Sequence, residues 1–263
     1  MEIIDAHTHI YPDKIAEKAT KAIGNFYDIE METSAGTTAQ LLEGGKKAGI
    51  SKFVVHSCAT TAHQVRSINE FIKHEIDTHS EFIGFMTLHQ DLTEDEIKSE
   101  VEWCINNGFK GVKLHPDFQK FYIDDVNVEK IYRVIGDRLP ILFHIGDKRY
   151  DYSNPDRLVK IAKKYPNVKF IAAHFGGYNC WDKANVYLGL DNVYFDTCSS
   201  LAFISKERAK ELIEMLGVEK FFFATDFPMW DAMHELERFY AIELTERQRQ
   251  MILCENIKKL LKI

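Results

Sequence analysis

Short apolar segments rich in β-branched and aromatic residues recur along the chain, separated by longer stretches with helical punctuation. In the middle of the chain the repeat is close to 30 residues, because Lys113, His144 and His174 fall at equivalent places 31 and 30 positions apart. One strand and the helix that crosses back over it need about 30 residues. The pattern predicts eight strand–helix units, with strands at Glu2–Ile10, Lys52–Cys58, Phe82–Leu88, Phe109–His115, Pro140–Ile145, Lys169–Phe175, Val193–Thr197 and Phe221–Asp226.

The composition of these segments indicates a parallel sheet. Runs such as ILFHI at 141–145 and FFFAT at 221–225 are almost continuously apolar, as expected of strands covered by helices. Eight units close most naturally into a barrel, and the 263 residues of the chain are close to the roughly 250 typical of one (β/α)8 barrel. An open doubly wound sheet is the alternative, although it usually has fewer strands. We therefore predict an α/β fold, a (β/α)8 TIM barrel formed by a single domain over residues 1–263.

The stretches between the strands carry helix signals. Thr93 and Glu96 have the spacing of a capping box, and Gly217 falls where a helix should end. Two segments are longer than the repeat requires. Residues 11–36 predict a long first strand-to-helix connection that arches over the barrel mouth, and residues 245–263 predict a closing amphipathic helix.

The charge balance and the cysteines limit what the chain can bind. The net charge is −7 with both signs interspersed, whereas nucleic-acid binding requires a concentrated basic surface. The five cysteines are scattered without a CxxC pair, as in a reduced, intracellular protein. No signal-peptide pattern is present, and no apolar run approaches the roughly 20 residues of a membrane span. We expect a cytoplasmic protein with a small-molecule substrate and neither a nucleic-acid nor a membrane partner. A homodimer is compatible with the sequence.

Polar residues are concentrated near the carboxyl-terminal ends of the predicted strands. In barrels of this kind that face holds the active site. Side chains alternate along a strand, so His7 and His9 share one face and can chelate one ion. The strand-end residues are His7, His9, Lys113, His115, His144, His174 and Asp226.

These residue types suit a divalent cation. Imidazole and carboxylate ligands bind zinc, and also iron, manganese or nickel. Three histidines and one aspartate leave a position for water, whose pKa a bound metal would lower to about 7. Taken alone, a histidine in an apolar strand is more often a core residue with a satisfied hydrogen bond, and a buried Asp226 needs a partner. Their coincidence at the strand ends of one barrel favours a metal site.

The segments DAHTHI, GVKLHP, LFHIGD, IAAHFGG, FFFATDFP and ILCENIKKLL span nearly the whole chain and resemble the amidohydrolase superfamily, in its amidohydrolase 2 branch. The resemblance implies a distorted barrel, with His7, His9, His144 and Asp226 as metal ligands and His174 as a catalytic histidine. The branch includes hydrolases. It also includes decarboxylases such as aminocarboxymuconate semialdehyde decarboxylase and γ-resorcylate decarboxylase.

Lys113 has three alternative roles. In binuclear members of the superfamily a carboxylated lysine on the fourth strand bridges two metals, and His144 with His174 would then hold the second ion. Alternatively, Lys113 stays an ammonium and binds a substrate carboxylate or phosphate beside His115. A salt bridge to Asp5 or Asp147 is the third alternative. We expect a mononuclear site with one Zn²⁺, in which Lys113, His115 and Arg149 bind an anionic substrate.

Further residues are weaker candidates. His56 and His89 end the second and third predicted strands, where either side chain could face the pocket. Tyr178 and Trp181 could cover a planar substrate or simply pack beneath a loop. Asp196 could hydrogen-bond a ligand histidine.

The sequence leaves three hypotheses for function. The first is hydrolysis of an amide, lactone or similar bond of a small anionic metabolite, with Asp226 as general base and then acid and with His174 stabilising the oxyanion. The second keeps the site but catalyses non-oxidative decarboxylation of an aromatic or muconate-like acid. The third is a barrel that binds metal or ligand without turnover, although the chain retains every residue that the resemblance requires.

Overall fold

The computed structural model describes residues 2–263 and contains eight parallel strands that pair in the order in which they occur in the chain. All eight lie inside the segments predicted from the sequence, so the predicted α/β fold is confirmed. The strands are β1 (Ile4–His9), β2 (Lys52–His56), β3 (Phe82–Thr87), β4 (Gly111–Leu114), β5 (Ile141–Phe143), β6 (Phe170–Ala172), β7 (Val193–Asp196) and β8 (Phe221–Phe222).

The sheet closes on itself between β1 and the segment that begins at β8. The Ala6 N–H donates to the Phe223 carbonyl at 2.9 Å, and the His9 N–H donates to the Phe227 carbonyl at 2.7 Å. Thr8 and Phe227 form a parallel bridge. Because β8 is only two residues long, most of these closing contacts lie beyond its end. The result is a distorted (β/α)8 TIM barrel.

Helices surround the strands and begin where the capping signals predict. Thr93 and Glu96 form both halves of a capping box, and Gly217 directly follows the eighth helix. A π-helical turn over Met251–Glu255 joins the last two helices into the predicted closing segment. The helices are α1 (Asp13–Tyr27), α2 (Thr38–Ala48), α3 (Val65–Thr78), α4 (Glu94–Asn106), α5 (Pro116–Gln119), α6 (Glu129–Ile135), α7 (Pro155–Lys164), α8 (Lys206–Leu216), α9 (Ala232–Tyr240), α10 (Glu246–Gln250) and α11 (Asn256–Leu261).

The first strand-to-helix connection differs from the simple arch that residues 11–36 suggest. It contains a helix of 15 residues, α1, which buries Ala16, Thr20 and Gly24. Its buried face is made of small residues rather than large apolar ones. The segment nevertheless covers the barrel mouth, because Ile23 and Met31 line the pocket there.

Candidate metal centre

A bulge in β1 directs two histidines into the pocket. Ile4 and Ala6 belong to an apolar cluster that draws side chains from most strands and fills the barrel interior. Strict alternation would then turn Thr8 inward rather than its neighbours. The pairing of β1 with β2 shifts register within this strand, and a bulge of this kind redirects the side chains that follow it. His7 and His9 therefore both line the pocket.

Three acceptor atoms converge at this point. The distance from His7 Nε2 to His9 Nε2 is 3.2 Å, and Asp226 Oδ1 lies 3.3 Å from the first and 3.4 Å from the second. Bonds of about 2.1 Å to a tetrahedral cation place neighbouring ligand atoms about 3.4 Å apart. The triangle formed by His7, His9 and Asp226 thus fits a divalent cation in both spacing and donor type.

Protonation favours the same interpretation. Burial lowers the pKa of His7 well below its usual value and also lowers the pKa of His9, so both imidazoles are neutral near pH 7. Burial alone would raise the pKa of Asp226, but the hydrogen bond with His9 and the attraction of His7, His9 and His174, when any of them carries a proton, outweigh it and hold that pKa well below its usual value. An ionised carboxylate facing two neutral imidazoles is the state that binds a metal.

A buried carboxylate on β7 fixes the orientation of His7. Asp196 Oδ2 accepts from His7 Nδ1 at 2.8 Å, so the lone pair of Nε2 points towards His9 and Asp226. The other oxygen, Asp196 Oδ1, accepts from the His174 backbone N–H at 2.7 Å. The sequence hypothesis that Asp196 bonds a candidate ligand histidine therefore agrees with this geometry.

His144 and His174 form a second pair beside the triangle. Their facing nitrogens, His144 Nδ1 and His174 Nε2, are 3.0 Å apart. The opposite nitrogens lie 3.3 Å from Asp117 Oδ2 and from the Cys198 carbonyl, respectively. If both oxygens accept from those nitrogens, the two facing nitrogens each present a lone pair. Burial lowers the pKa of His174 to about 3, so this imidazole is neutral. His144 lines the same pocket as the triangle. Its ring nitrogens, however, contact His174 and Asp117 rather than His7 or His9.

The predicted substrate-binding residues have different environments. Lys113 is fully buried and its Nζ lies 2.9 Å from His7 Nε2. Neither carboxylate suggested for a salt bridge pairs with it, because Asp5 accepts from Thr225 and Asp147 pairs with Arg149.

His115 and Arg149 also differ from each other. The His115 ring lines the pocket and stacks on His144 with centroids 4.1 Å apart. Arg149 is turned away: it donates to both carboxylate oxygens of Asp147 and to the Phe26 carbonyl, and its side chain is not part of the pocket lining. Direct substrate binding by Arg149 would require these bonds to break.

Several lining residues have no counterpart among the sequence predictions. The Tyr27 hydroxyl, at the end of α1, lies 2.9 Å from His115 Nε2 and 3.5 Å from both ring nitrogens of His144. Ser199 donates to Asp226 Oδ2 at 2.5 Å and accepts from Trp230 Nε1 at 2.9 Å. Both sets of contacts join residues that are far apart in the chain, so no local sequence motif predicts them.

The weaker candidates from the sequence differ in whether they line the pocket. Tyr178 lines the pocket next to His174, whereas Trp181 stacks on Phe203 and donates to the His174 carbonyl. His89 lies outside the pocket lining. His56 does not line the pocket either, but it is buried beside His9, with its ring edge-on to His9 at a centroid distance of 4.4 Å.

The pocket above these residues is small and largely apolar. It contains about 330 Å³ of space not filled by protein atoms, a figure that includes solvent at its mouth. Its lining comprises His7, His9, Ile23, Tyr27, Met31, Lys113, His115, Phe118, His144, His174, Asp226, Pro228 and Met229.

An eight-stranded barrel with two buried groups of histidines and a carboxylate at its strand ends defines the class of (β/α)8-barrel metal enzymes. The sequence profile of the amidohydrolase family, in its amidohydrolase 2 branch, matches residues 4–263. The chain belongs to this family, as the sequence motifs predicted.

Solved structures of decarboxylases share the fold. The chain is 17% identical to 2,6-dihydroxybenzoate decarboxylase from Rhizobium, with a TM-score of 0.77 over 100% of this chain and 99% of that one. It is 13% identical to 5-carboxyvanillate decarboxylase from Sphingomonas paucimobilis, with a TM-score of 0.74 over 100% and 99%. A dihydroxybenzoic acid decarboxylase from Polaromonas, with bound manganese and the inhibitor 2-nitroresorcinol, is 16% identical, with a TM-score of 0.75 over 99% and 97%.

Two further findings concern the whole chain. No curated protein sequence matches it. Among residues 2–263, no helix combines the length and apolar character needed to cross a bilayer.

Proposed function

We propose that this protein is a metal-dependent decarboxylase of a small, planar carboxylic acid. The observation that carries the proposal is the buried triangle of His7, His9 and Asp226 with the Lys113 ammonium beside it, in a pocket walled by aromatic and apolar side chains. A cation next to a metal site can hold a carboxylate, while Tyr27 and Phe118 offer faces for a planar group. The decarboxylases of the same fold, which act on hydroxylated aromatic acids, favour this chemistry over hydrolysis, the first hypothesis from the sequence.

We assign the cation to His7, His9 and Asp226, with His144 as the proposed fourth ligand. The donor set contains three nitrogens and one oxygen and suits one Zn²⁺, although relatives of the same fold have been observed with manganese. When bound, the cation would act as a Lewis acid that polarises substrate oxygens.

The side chains of the protein would bind the substrate and transfer the proton. Lys113 holds the carboxylate in the buried end of the pocket. The bond from the carboxylate carbon to the substrate breaks, its electron pair stays on the substrate carbon, and carbon dioxide leaves. A proton must replace it. The ionised Asp226 would accept that proton from a substrate hydroxyl and deliver it to the carbon, whereas the neutral His174 would donate or accept a hydrogen bond without changing its charge.

Hydrolysis is the second candidate, and one observation favours it. His144 Nδ1 and His174 Nε2 lie 3.0 Å apart, and in the tautomers that give both a lone pair they would suit a second cation. A carboxylated Lys113 would then bridge two ions. In that case Asp226 would accept the proton of an attacking water and return it to the leaving group, with His174 beside the developing oxyanion.

Product analysis tests the proposal. Metal-loaded protein is incubated with hydroxybenzoates and muconate-like acids labelled with ¹³C in the carboxyl group, and in parallel with amides and lactones of similar size. Decarboxylation predicts labelled carbon dioxide that is lost in Asp226→Asn but retained in Asp124→Asn, whose carboxylate pairs with Arg157 and Lys160 away from the pocket. Turnover of the amides or lactones without carbon dioxide would refute it in favour of hydrolysis.

A further inference from the structure

His56, the last residue of β2, has no hydrogen-bond partner for either ring nitrogen. Its side chain is completely buried, and both Nδ1 and Nε2 are enclosed by the protein. A neutral imidazole carries one donor and one acceptor, and buried polar groups of this kind are almost always paired. An imidazole that is buried without any partner therefore needs an explanation in the chemistry around it.

The surroundings of His56 are the histidines of the metal centre. The His56 ring lies edge-on to His9 and to His7, with centroid distances of 4.4 Å and 5.0 Å. One ring nitrogen of each of these three residues lies within 4.8 Å of the others. His9 Nδ1 is also buried without a partner. Three imidazoles therefore converge where three buried ring nitrogens have no hydrogen-bond partner.

The backbone holds this arrangement firmly. His9 and His56 are register partners in the parallel pairing of β1 and β2, and the Ile10 N–H donates to the His56 carbonyl at 3.1 Å. A side chain placed by two central strands is held more precisely than one on a loop. The position of His56 beside His9 is thus a property of the barrel.

We propose that His56 is an additional ligand of the cation that binds at His7, His9 and Asp226. This inference rests on the metal site of the proposed function and extends it with a residue from β2. Together with His7, His9 and the proposed ligand His144, His56 would bring the nitrogen donors to four against one carboxylate oxygen. Such a donor set favours Zn²⁺ over Mn²⁺, because Mn²⁺ prefers oxygen ligands and readily accepts water in place of an imidazole.

The test compares zinc and manganese affinity by competition with a chelator. His56→Phe keeps the approximate volume of the ring but removes both nitrogens. His89→Phe is the matched control, because His89 is another buried histidine after a strand and belongs to none of the clusters of possible metal ligands among the described residues. Loss of a group that merely supports a ligand lowers metal affinity by about 10- to 100-fold, so loss of a ligand should weaken zinc binding by at least about 100-fold. In His56→Phe, the fold-loss of manganese affinity should be at least about 10 times smaller than the fold-loss of zinc affinity. His89→Phe should leave both affinities unchanged.

Equal losses for the two metals, or no loss relative to His89→Phe, would overturn the role of His56. His7→Ala separates this failure from failure of the metal site itself: if it abolishes zinc binding while His56→Phe does not, the site stands and only His56 is excluded. Should His56→Phe fail to fold by circular dichroism, anomalous diffraction from zinc-loaded wild-type crystals decides the question. A ligand nitrogen of His56 should lie about 2.1 Å from the zinc peak, and a zinc peak beyond hydrogen-bond distance of both His56 nitrogens would exclude it.

Discussion

Replacing Asp196 by asparagine should switch the tautomer of His7. In the wild-type protein Asp196 Oδ1 accepts from the His174 backbone N–H at 2.7 Å, and Oδ2 accepts from His7 Nδ1 at 2.8 Å. A backbone N–H can only donate, so the single oxygen of an asparagine must face His174. The amide nitrogen then faces His7 Nδ1 as a donor. His7 must place its proton on Nε2, where it blocks the triangle with His9 and Asp226.

The magnitude follows from the two ways in which the variant can respond. If the amide is flipped to keep the original His7 tautomer, its nitrogen faces the His174 N–H, and an unsatisfied buried donor costs about 1–3 kcal/mol. If it is not flipped, metal binding must reverse the tautomer at a similar cost. At about 1.4 kcal/mol per factor of ten, zinc affinity should fall by roughly 10- to 100-fold, the range known for loss of a group that orients a ligand histidine.

The assay is chelator competition for zinc at pH 7, with circular dichroism to confirm folding. Asp124→Asn is the control, because it makes the same chemical change at a carboxylate that pairs with Arg157 and Lys160. A folded Asp196→Asn protein that binds zinc within threefold of the wild-type value would refute the reasoning. Either His7 Nε2 would then not bind the metal, or Asp196 would not set its tautomer.

The remaining predictions concern the ligands, the metal count and pH. His7→Ala should lose most bound metal and at least about 100-fold of turnover, whereas His174→Asn should lose turnover but keep metal; elemental analysis alongside product assays checks both, and loss of metal in the second variant would make His174 a ligand. Elemental analysis of the wild-type protein should give about one divalent ion per chain, and two ions that fall to one in Lys113→Met would instead indicate a carboxylated bridge. Burial raises the pKa of Glu235 to about 8. Because the folded protein holds this proton more tightly than the unfolded chain, the free energy of unfolding should fall as pH rises from about 4.5 to about 8. Denaturant titrations should find that part of the slope missing in Glu235→Gln, and an identical slope in both proteins would contradict the assignment.

The strands could be predicted from sequence because a buried parallel strand needs little besides apolar residues, and the β1–β8 segments have them. Their exact ends could not. The predicted sixth strand continued to Phe175, but His174 and Phe175 adopt left-handed backbone angles with φ of 65° and 54°, and β6 ends at Ala172. Such angles depend on contacts outside the segment, here on the turn that places His174 beside Asp196.

In the candidate site, too, some features could be predicted from the sequence and others could not. The convergence of His7, His9 and Asp226 follows from strand ends that share one barrel face, so a sequence pattern can anticipate it. The side chain of Arg149 could not be placed in this way, because it pairs with Asp147 two residues earlier in a loop where Asp147 has a φ of 94°. Tyr27 was missed for a different reason: its hydroxyl reaches His115 only because α1 crosses the mouth of the barrel.

The bulge in β1 gives this strand two phases of side-chain alternation. Below the bulge Ile4 and Ala6 face the dry interior, and above it His7 and His9 face the pocket. If β1 paired with β2 without the bulge, the strand would have a single phase, in which Ile4 and Ala6 stayed inside and both histidines turned out of the pocket. The same eight strands would then close around an inert barrel. The arrangement of the candidate ligands on β1 therefore depends on one local irregularity in the pairing of a single strand.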